Sequence, residues 1–318
     1  MKVFVSGAAG FLGKAVVAEL AKRGHEVVGL VHNEAKGKIV EGLGGRYVIG
    51  DLLNEGPWMD EVKDSYRVLS LSLPVKFKDR ANLDTMVECN VKHAKSVTNL
   101  IRAAKHGEAR SIIVTYDTMC FGDKADSWVE EPGSLKPAGF CRPIGNSYDD
   151  ITRAGKDAGI PLVNVFPGRV YGTDGWFAYM LERIQKGTWG LAGDGGNFMS
   201  VIHIDDLAAA YGEIVERLTH NESLALADGN PCTQKAFTEY LAGALGLPAP
   251  KAMDYHEFAE KEGIMLAESL ATSVMVSSAK AVKLLDFAPV YHDYKKGIVA
   301  VMKAMGIQPL TSFTVKAA

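Results

Sequence analysis

Residues 2–17 read KVFVSGAAGFLGKAVV, and this stretch decides the fold. Five residues with alternating apolar, β-branched character form a strand candidate at 2–6. They run into Gly7-Ala8-Ala9-Gly10-Phe11-Leu12-Gly13, and a helical pattern over 11–23 follows. Glycines three apart let the chain turn tightly and bring backbone N–H groups close to a diphosphate. The positive end of the following helix favours the same anion. A lone glycine triplet carries little weight. This one leaves a strand, opens a helix and begins a βαβ pattern, which is the context the motif requires.

Outward from that turn, short apolar runs alternate with amphipathic stretches. Further strand candidates lie at 26–31, 46–49, 67–72, 110–115 and 161–166. The longest helical pattern is 80–106, where Leu83, Val87, Val91, Ala94, Val97, Ile101 and Ala104 recur at spacings of three or four. The alternation predicts an α/β fold, a Rossmann-type doubly wound parallel sheet. After residue 172 helical patterns dominate, at 176–187, 205–218, 233–245, 254–268 and 291–304. They predict a smaller, mainly helical C-terminal substrate lobe. We expect a dinucleotide-binding unit over 1–172, rejoined by 200–230 with a strand near 224–228, and a substrate lobe over 173–318. A helix at 148–158, capped by Asn146 or Ser147, completes the pattern.

Composition narrows the function. The 318 residues are 47% hydrophobic and 23% charged with a net charge of −3, and no Lys/Arg block occurs. That argues for a small-molecule substrate and against nucleic acid or an anionic membrane as a partner. Cys89, Cys120, Cys141 and Cys232 are widely spaced, with no CxxC pair and no metal-ligand cluster. A reduced cytoplasmic setting fits. The N-terminal segment reads as a strand and turn and not as a signal peptide. No run of eighteen apolar residues suggests a membrane span.

The Gly-x-x-Gly-x-x-Gly spacing resembles short-chain dehydrogenases/reductases, particularly their extended epimerase/dehydratase group. Gly50-Asp51-Leu52, CNVKHAKSVTNLIRAA (89–104), FPGRVYG (166–172) and GDGGNFMSVIHIDDLAAA (193–210) look like later landmarks of that group, in its order. The resemblance implies cofactor contacts at Gly7, Ala9, Gly10, Phe11, Leu12, Gly13, Asp51, Leu52, Leu71 and Pro167. It implies Asn90 beside the substrate. It also implies a homodimer formed through the 80–106 and 148–158 helices.

Several positions depart from that pattern, among them Asp117, which stands at the group's usual Ser/Thr position. The ribose-binding carboxylate expected at the end of the second strand is Val31, followed by His32, with Lys36, Lys38 and Lys14 nearby. A missing carboxylate removes repulsion from a 2′-phosphate, so the reading favours NADP(H) over NAD(H), with His32 as a contact. The family's catalytic Tyr-x-x-x-Lys is another departure. Counting back from Gly159-Ile160-Pro161, the tyrosine should fall within 139–143, which reads Gly-Phe-Cys-Arg-Pro. Tyr148 is followed four places on by Thr152, and Tyr291 with Lys295 lies too far along the chain. Tyr116, Asp117, Thr118 and Tyr148 are the nearest acid–base or hydroxyl candidates.

Three activities stay open on these residues. One is carbonyl reduction or alcohol oxidation with relocated acid–base groups. Another is redox-neutral epimerisation, dehydration or lyase chemistry with Asp117 as base. The third is a catalytically silent dinucleotide sensor. Nucleotide-sugar enzymes of the resembling group place an arginine where Met199 stands. Trp176, Phe177 and Met199 instead suggest an apolar or aromatic pocket for a small carbonyl or alcohol.

Overall fold

The computed structural model describes residues 1–73, 79, 82–130, 135–218, 220–310 and 312–313, with the backbone alone for 144–146. Seven parallel strands form the central sheet. In chain order they are β1 (Lys2–Ser6), β2 (Glu26–Val31), β3 (Arg46–Ile49), β4 (Arg67–Ser70), β5 (Ser111–Thr115), β7 (Leu162–Pro167) and β12 (Glu222–Leu226). The spatial order is β12-β7-β5-β4-β1-β2-β3. Strand order reverses between β1 and β4, and the crevice at their carboxyl ends is where ligands bind in open sheets of this kind.

The strands are buried on both faces, so they read as near-continuous apolar runs. Val3, Val5, Val27 and Val31 face one core, with α1 (Phe11–Lys22), α2 (Glu34–Gly42), α7 (Ile204–Arg217) and α11 (Ala279–Leu285). Phe4, Val28, Val68, Val114 and Phe166 face the other, under α3 (Trp58–Lys63), α4 (Leu83–Ala104) and α5 (Gly145–Ala158).

The rest of the chain stands over the carboxyl end of the sheet. Its helices are α6 (Gly175–Gln185), α8 (Gln234–Ala244), α9 (Tyr255–Glu262), α10 (Ile264–Ala271) and α12 (Tyr294–Ala304). Between them lie four two-stranded pairings absent from the sequence reading. β8 (Arg169–Tyr171) pairs with β11 (Val201–His203), and β10 (Phe198–Met199) with β13 (Cys232–Thr233). β9 (Gly190–Ala192) pairs with β14 (Lys251–Met253), and β6 (Trp128–Val129) with β15 (Met275–Val276).

Several boundaries differ from expectation for local reasons. The single helix expected over 254–268 is two, because Gly263 adopts φ +94° and breaks the ladder between α9 and α10. The helix expected from 148 begins at Gly145, so Ser147 lies inside its first turn and is no cap. The Asn146 side chain lies outside the described residues. The apolar stripe of α4 also divides. Val97, Ile101 and Ala104 are buried, but Leu83, Val87 and Val91 are 44%, 47% and 64% exposed. At that end Met86, Cys89, Asn90 and His93 face the core instead.

Candidate active site

The glycine turn is a cradle that only glycine can build. Gly7 has φ +73°, a conformation costly for any residue with a Cβ. A Cβ there would lie 2.9 Å from Ser72 N. A Cβ on Gly13 would lie 2.0 Å from Gly7 O, so α1 starts hard against the turn. Gly10 N–H donates to Gly7 O at 2.9 Å, and Gly10 occupies the N-cap position without a side-chain cap. The first N–H groups of this twelve-residue helix are therefore left for a ligand. The cradle fits a dinucleotide diphosphate.

The other expected cofactor contacts border the same crevice. Ala9, Phe11 and Leu12 are half-buried in the turn, and Phe11 packs beside Gly172 and Gly175. Leu71 N–H donates to Ser6 O at 3.3 Å, where β4 leaves the sheet. Pro167 ends β7 opposite Leu226. Leu52 is buried, and Asp51 uses its carboxylate locally, accepting from Leu53 N at 2.9 Å and Asn54 Nδ2 at 3.1 Å. Val31 is buried at the end of β2 while His32 is exposed. Asn33 caps α2 by accepting from Lys36 N at 3.0 Å.

The four catalytic candidates separate into two environments. Tyr116 and Tyr148 go under the sheet. Tyr116 stacks on Phe166 with ring centres 5.2 Å apart, and Tyr148 lies 5.3 Å from it, reaching Asn164 Nδ2 at 3.4 Å. The buried Tyr116 hydroxyl has no hydrogen-bond partner among the described residues. Burial, with Tyr148 and Cys120 beside it, pushes Tyr116 well above the ordinary tyrosine range. It stays a neutral phenol at physiological pH. His93 meets its edge and is pulled down to about 4 by burial, so it is neutral too.

Asp117 and Thr118 follow β5 at the carboxyl edge, where Asp117 is half-buried and Thr118 is buried. Asp117 caps a 3-10 turn over Thr118–Phe121, its Oδ1 accepting from Met119 N at 2.8 Å. Asn90, expected beside the substrate, is buried and spends its amide on structure. It donates to Pro143 O and accepts from the Ser147 hydroxyl, tying α4 to the start of α5. The segment where the tyrosine was sought is a 3-10 helix, Gly139–Ile144, with Phe140 buried and its N–H bonded to Ser269 Oγ at 2.9 Å. Arg142 beside it pairs with Glu268.

The candidate pocket residues also divide. Trp176 is half-buried, and its indole N–H donates to Val170 O at 2.5 Å. Phe177 has no exposed surface and packs against Tyr171, Trp176 and Phe237, so it is core and not a pocket wall. Met199 is buried opposite Cys232. His203 and Asp206, read as helix-start and lobe contacts, serve as such. His203 caps α7, and Asp206 accepts from Val290 N at 2.8 Å and Tyr291 N at 2.9 Å.

The sequence reading missed one charged side chain here. Arg169 leads β8 off the carboxyl edge, is half-buried, and donates to Ser269 O on α10. Asp117, Cys141 and Cys232 are the groups whose charges act on it. Burial lowers its pKa and the Asp117 carboxylate opposes that shift. The signal lay inside the quoted FPGRVYG, but the cation was sought near Met199. Among the described residues no group of three or more His, Cys, Asp or Glu side chains could hold a metal ion. No described helix is long and apolar enough to cross a membrane.

A profile of the NAD dependent epimerase/dehydratase family matches residues 3–227, the sheet and its carboxyl-edge crevice together. The chain belongs to this family. Two curated relatives are similar to this member along much of their length. A 3-diazoavenalumate denitrifying reductase from a Streptomyces species is 22% identical over 319 residues, covering 94% of this chain and 99% of the relative. A 2-alkyl-3-oxoalkanoate reductase from Stenotrophomonas maltophilia is 26% identical over 261 residues, covering 78% and 77%. Among solved structures, UDP-glucuronic acid 4-epimerase from Bacillus cereus, bound to UDP-glucuronic acid and NAD, shares the family member's fold. Its TM-score is 0.79 at 20% identity, over 96% of this chain and 99% of that one. The fold and the NAD(P)-binding, oxidoreductase/epimerase enzyme class expected from the sequence are those found.

Proposed function

We propose that the chain is an NADP(H)-dependent oxidoreductase that reduces the carbonyl, or oxidises the alcohol, of a small substrate with an apolar or aromatic body. What supports this is a glycine cradle fitting a dinucleotide at the carboxyl end of β1, with a carboxylate and a hydroxyl, Asp117 and Thr118, following β5 on the same edge of the sheet. Both curated relatives described above are named as reductases, and both names are those of acids. The bound cofactor supplies the hydride. In reduction Thr118 donates a hydrogen bond to the carbonyl oxygen and the Asp117 carboxyl, protonated from solvent, delivers the proton; in oxidation the Asp117 carboxylate accepts the alcohol proton and passes it to solvent. Tyr116 and Tyr148 pack against Phe166 instead. Loss of NADPH absorbance with small aromatic or aliphatic carbonyl compounds tests the reading. Isomerisation of a UDP- or dTDP-sugar at ordinary enzyme rates would refute it in favour of redox-neutral chemistry.

The preference for NADP(H) rests on the end of β2. No carboxylate stands at Val31 to repel a 2′-phosphate, and exposed His32 and Lys36 flank the position. We expect NADP+ to bind about tenfold more tightly than NAD+, the effect of one favourable charge contact of about 1.4 kcal/mol. His32→Asp should reverse the order in calorimetric titration. Tighter binding of NAD+ by the unaltered protein sinks this part of the proposal.

We propose a homodimer, and the divided stripe on α4 supports it. Leu83, Val87 and Val91 present an apolar ridge to solvent next to α5, and a second copy would cover it. We expect sedimentation to show a dimer at micromolar concentration. The double variant Val87→Lys/Val91→Glu should be monomeric with unchanged dinucleotide binding. A monomeric parent protein removes the dimer.

A further inference from the structure

We infer that Arg169 grips a carboxylate on the substrate. This deepens the reductase reading and rests on it only for where the reacting carbonyl sits. Arg169 leaves the sheet at the carboxyl end of β7, directly after Pro167 and Gly168. Its guanidinium reaches across to α10 and lies among Asp117, Cys141 and Cys232, between the sheet edge and the second lobe. Five N–H donors are available on a guanidinium. Among the described residues, the one side-chain hydrogen bond of Arg169 goes to Ser269 O.

A tie between lobes would use Arg169 differently. Among the described residues, the other buried or half-buried arginines show how a structural one is satisfied. Arg183 is paired to Glu262 through both terminal nitrogens, and Arg23 meets Glu19, Glu213 and Glu216. Arg67, fully buried, spends Nε on Val215 O and a terminal nitrogen on Tyr66 O. Asp117 is near enough for its charge to act on Arg169, and among the described residues no hydrogen bond joins the two. Asp117 Oδ1 is turned to Met119 N. The planar fork of Arg169 is therefore left with donors for a second, planar anion, and a carboxylate matches that geometry in bidentate fashion.

The placement sets the substrate class. With the carboxylate on Arg169, the Asp117 carboxylate that acts on Arg169 is the acid–base group at hand for an oxygen a few bonds away. A short oxo acid or hydroxy acid satisfies both. A neutral ketone leaves Arg169 desolvated without a partner.

The test is calorimetric titration of the NADPH-saturated protein with matched pairs, 3-oxo-3-phenylpropanoate and phenylpyruvate against their methyl esters. We expect each acid to bind roughly ten to a hundred times more tightly than its ester, the range for a hydrogen-bonded charge pair. Arg169→Gln should remove that preference while leaving ester and NADPH affinities unchanged, and Arg169→Lys should restore part of it. No acid preference in either pair overturns the inference, whether or not Arg169→Gln folds. Equal losses for acid and ester in Arg169→Gln and Arg169→Lys also overturn it, because they mark a structural tie. The two readings fail separately. Acid preference without any NADPH consumption refutes the reductase and leaves the carboxylate site standing. Equal NADPH consumption with acid and ester does the reverse.

Discussion

Gly13→Val should lower dinucleotide affinity by at least about a hundredfold, some 2.7 kcal/mol. The effect is geometric. A Cβ on Gly13 would stand 2.0 Å from the carbonyl oxygen of Gly7 and 2.8 Å from the Cα of Ala8. Both are backbone atoms, so no side chain can swing aside. The start of α1 must move off the turn, and the N–H groups that would meet the diphosphate move with it. Val16, Val17 and Leu20 still anchor the rest of α1 in its core, so the protein should remain folded. Its stability should fall by about 1–3 kcal/mol, the usual cost of overpacking. Calorimetric titration with NADP+, NADPH, NAD+ and NADH checks the first expectation, and thermal unfolding the second. Binding by Gly13→Val within threefold of the parent protein would remove the glycine turn from the cofactor site. Failure of the parent protein to bind any of the four would remove the cofactor from the chain.

This turn was legible in the sequence because its constraints are local. Strand, positive φ and helix start follow one another within a dozen residues, and each leaves a mark on composition. The same holds for the seven strands, whose apolar runs reflect burial on two faces. What the sequence hid depends on where side chains travel after the backbone has folded. Phe177 has the composition of a pocket wall, but its helix turns it into a cluster with Tyr171 and Phe237. Tyr116 sits one residue from Asp117, yet strand alternation sends its ring under the sheet while Asp117 caps the next turn. Leu83 and Val87 share one helical stripe with Val97, yet they are exposed where Val97 is buried. Arg169 was in plain view and its surroundings were not, because its guanidinium bonds to Ser269 on α10, 100 residues along the chain.

Asp117→Asn should reduce turnover by at least about a hundredfold, the usual range for loss of a group that transfers a proton. Asparagine caps as well as aspartate does, so the bond to Met119 N and the 3-10 turn should survive. Thermal stability and NADPH affinity should therefore be unchanged, and only the charge is lost. The charge lies close enough to Arg169 to act on it. Its removal takes away repulsion against a bound carboxylate. The expected signature is thus a fall in kcat with KM for an oxo acid unchanged or lower, which a merely unfolded or misassembled site would not give. Tyr116→Phe provides the contrast. It removes a buried hydroxyl that lacks a partner among the described residues, so turnover should change less than about threefold, and stability should hold or rise. If Asp117→Asn keeps more than a tenth of the activity while Tyr116→Phe loses it, the proton passes through the buried tyrosine stack. The carboxyl edge would then serve only to hold the substrate.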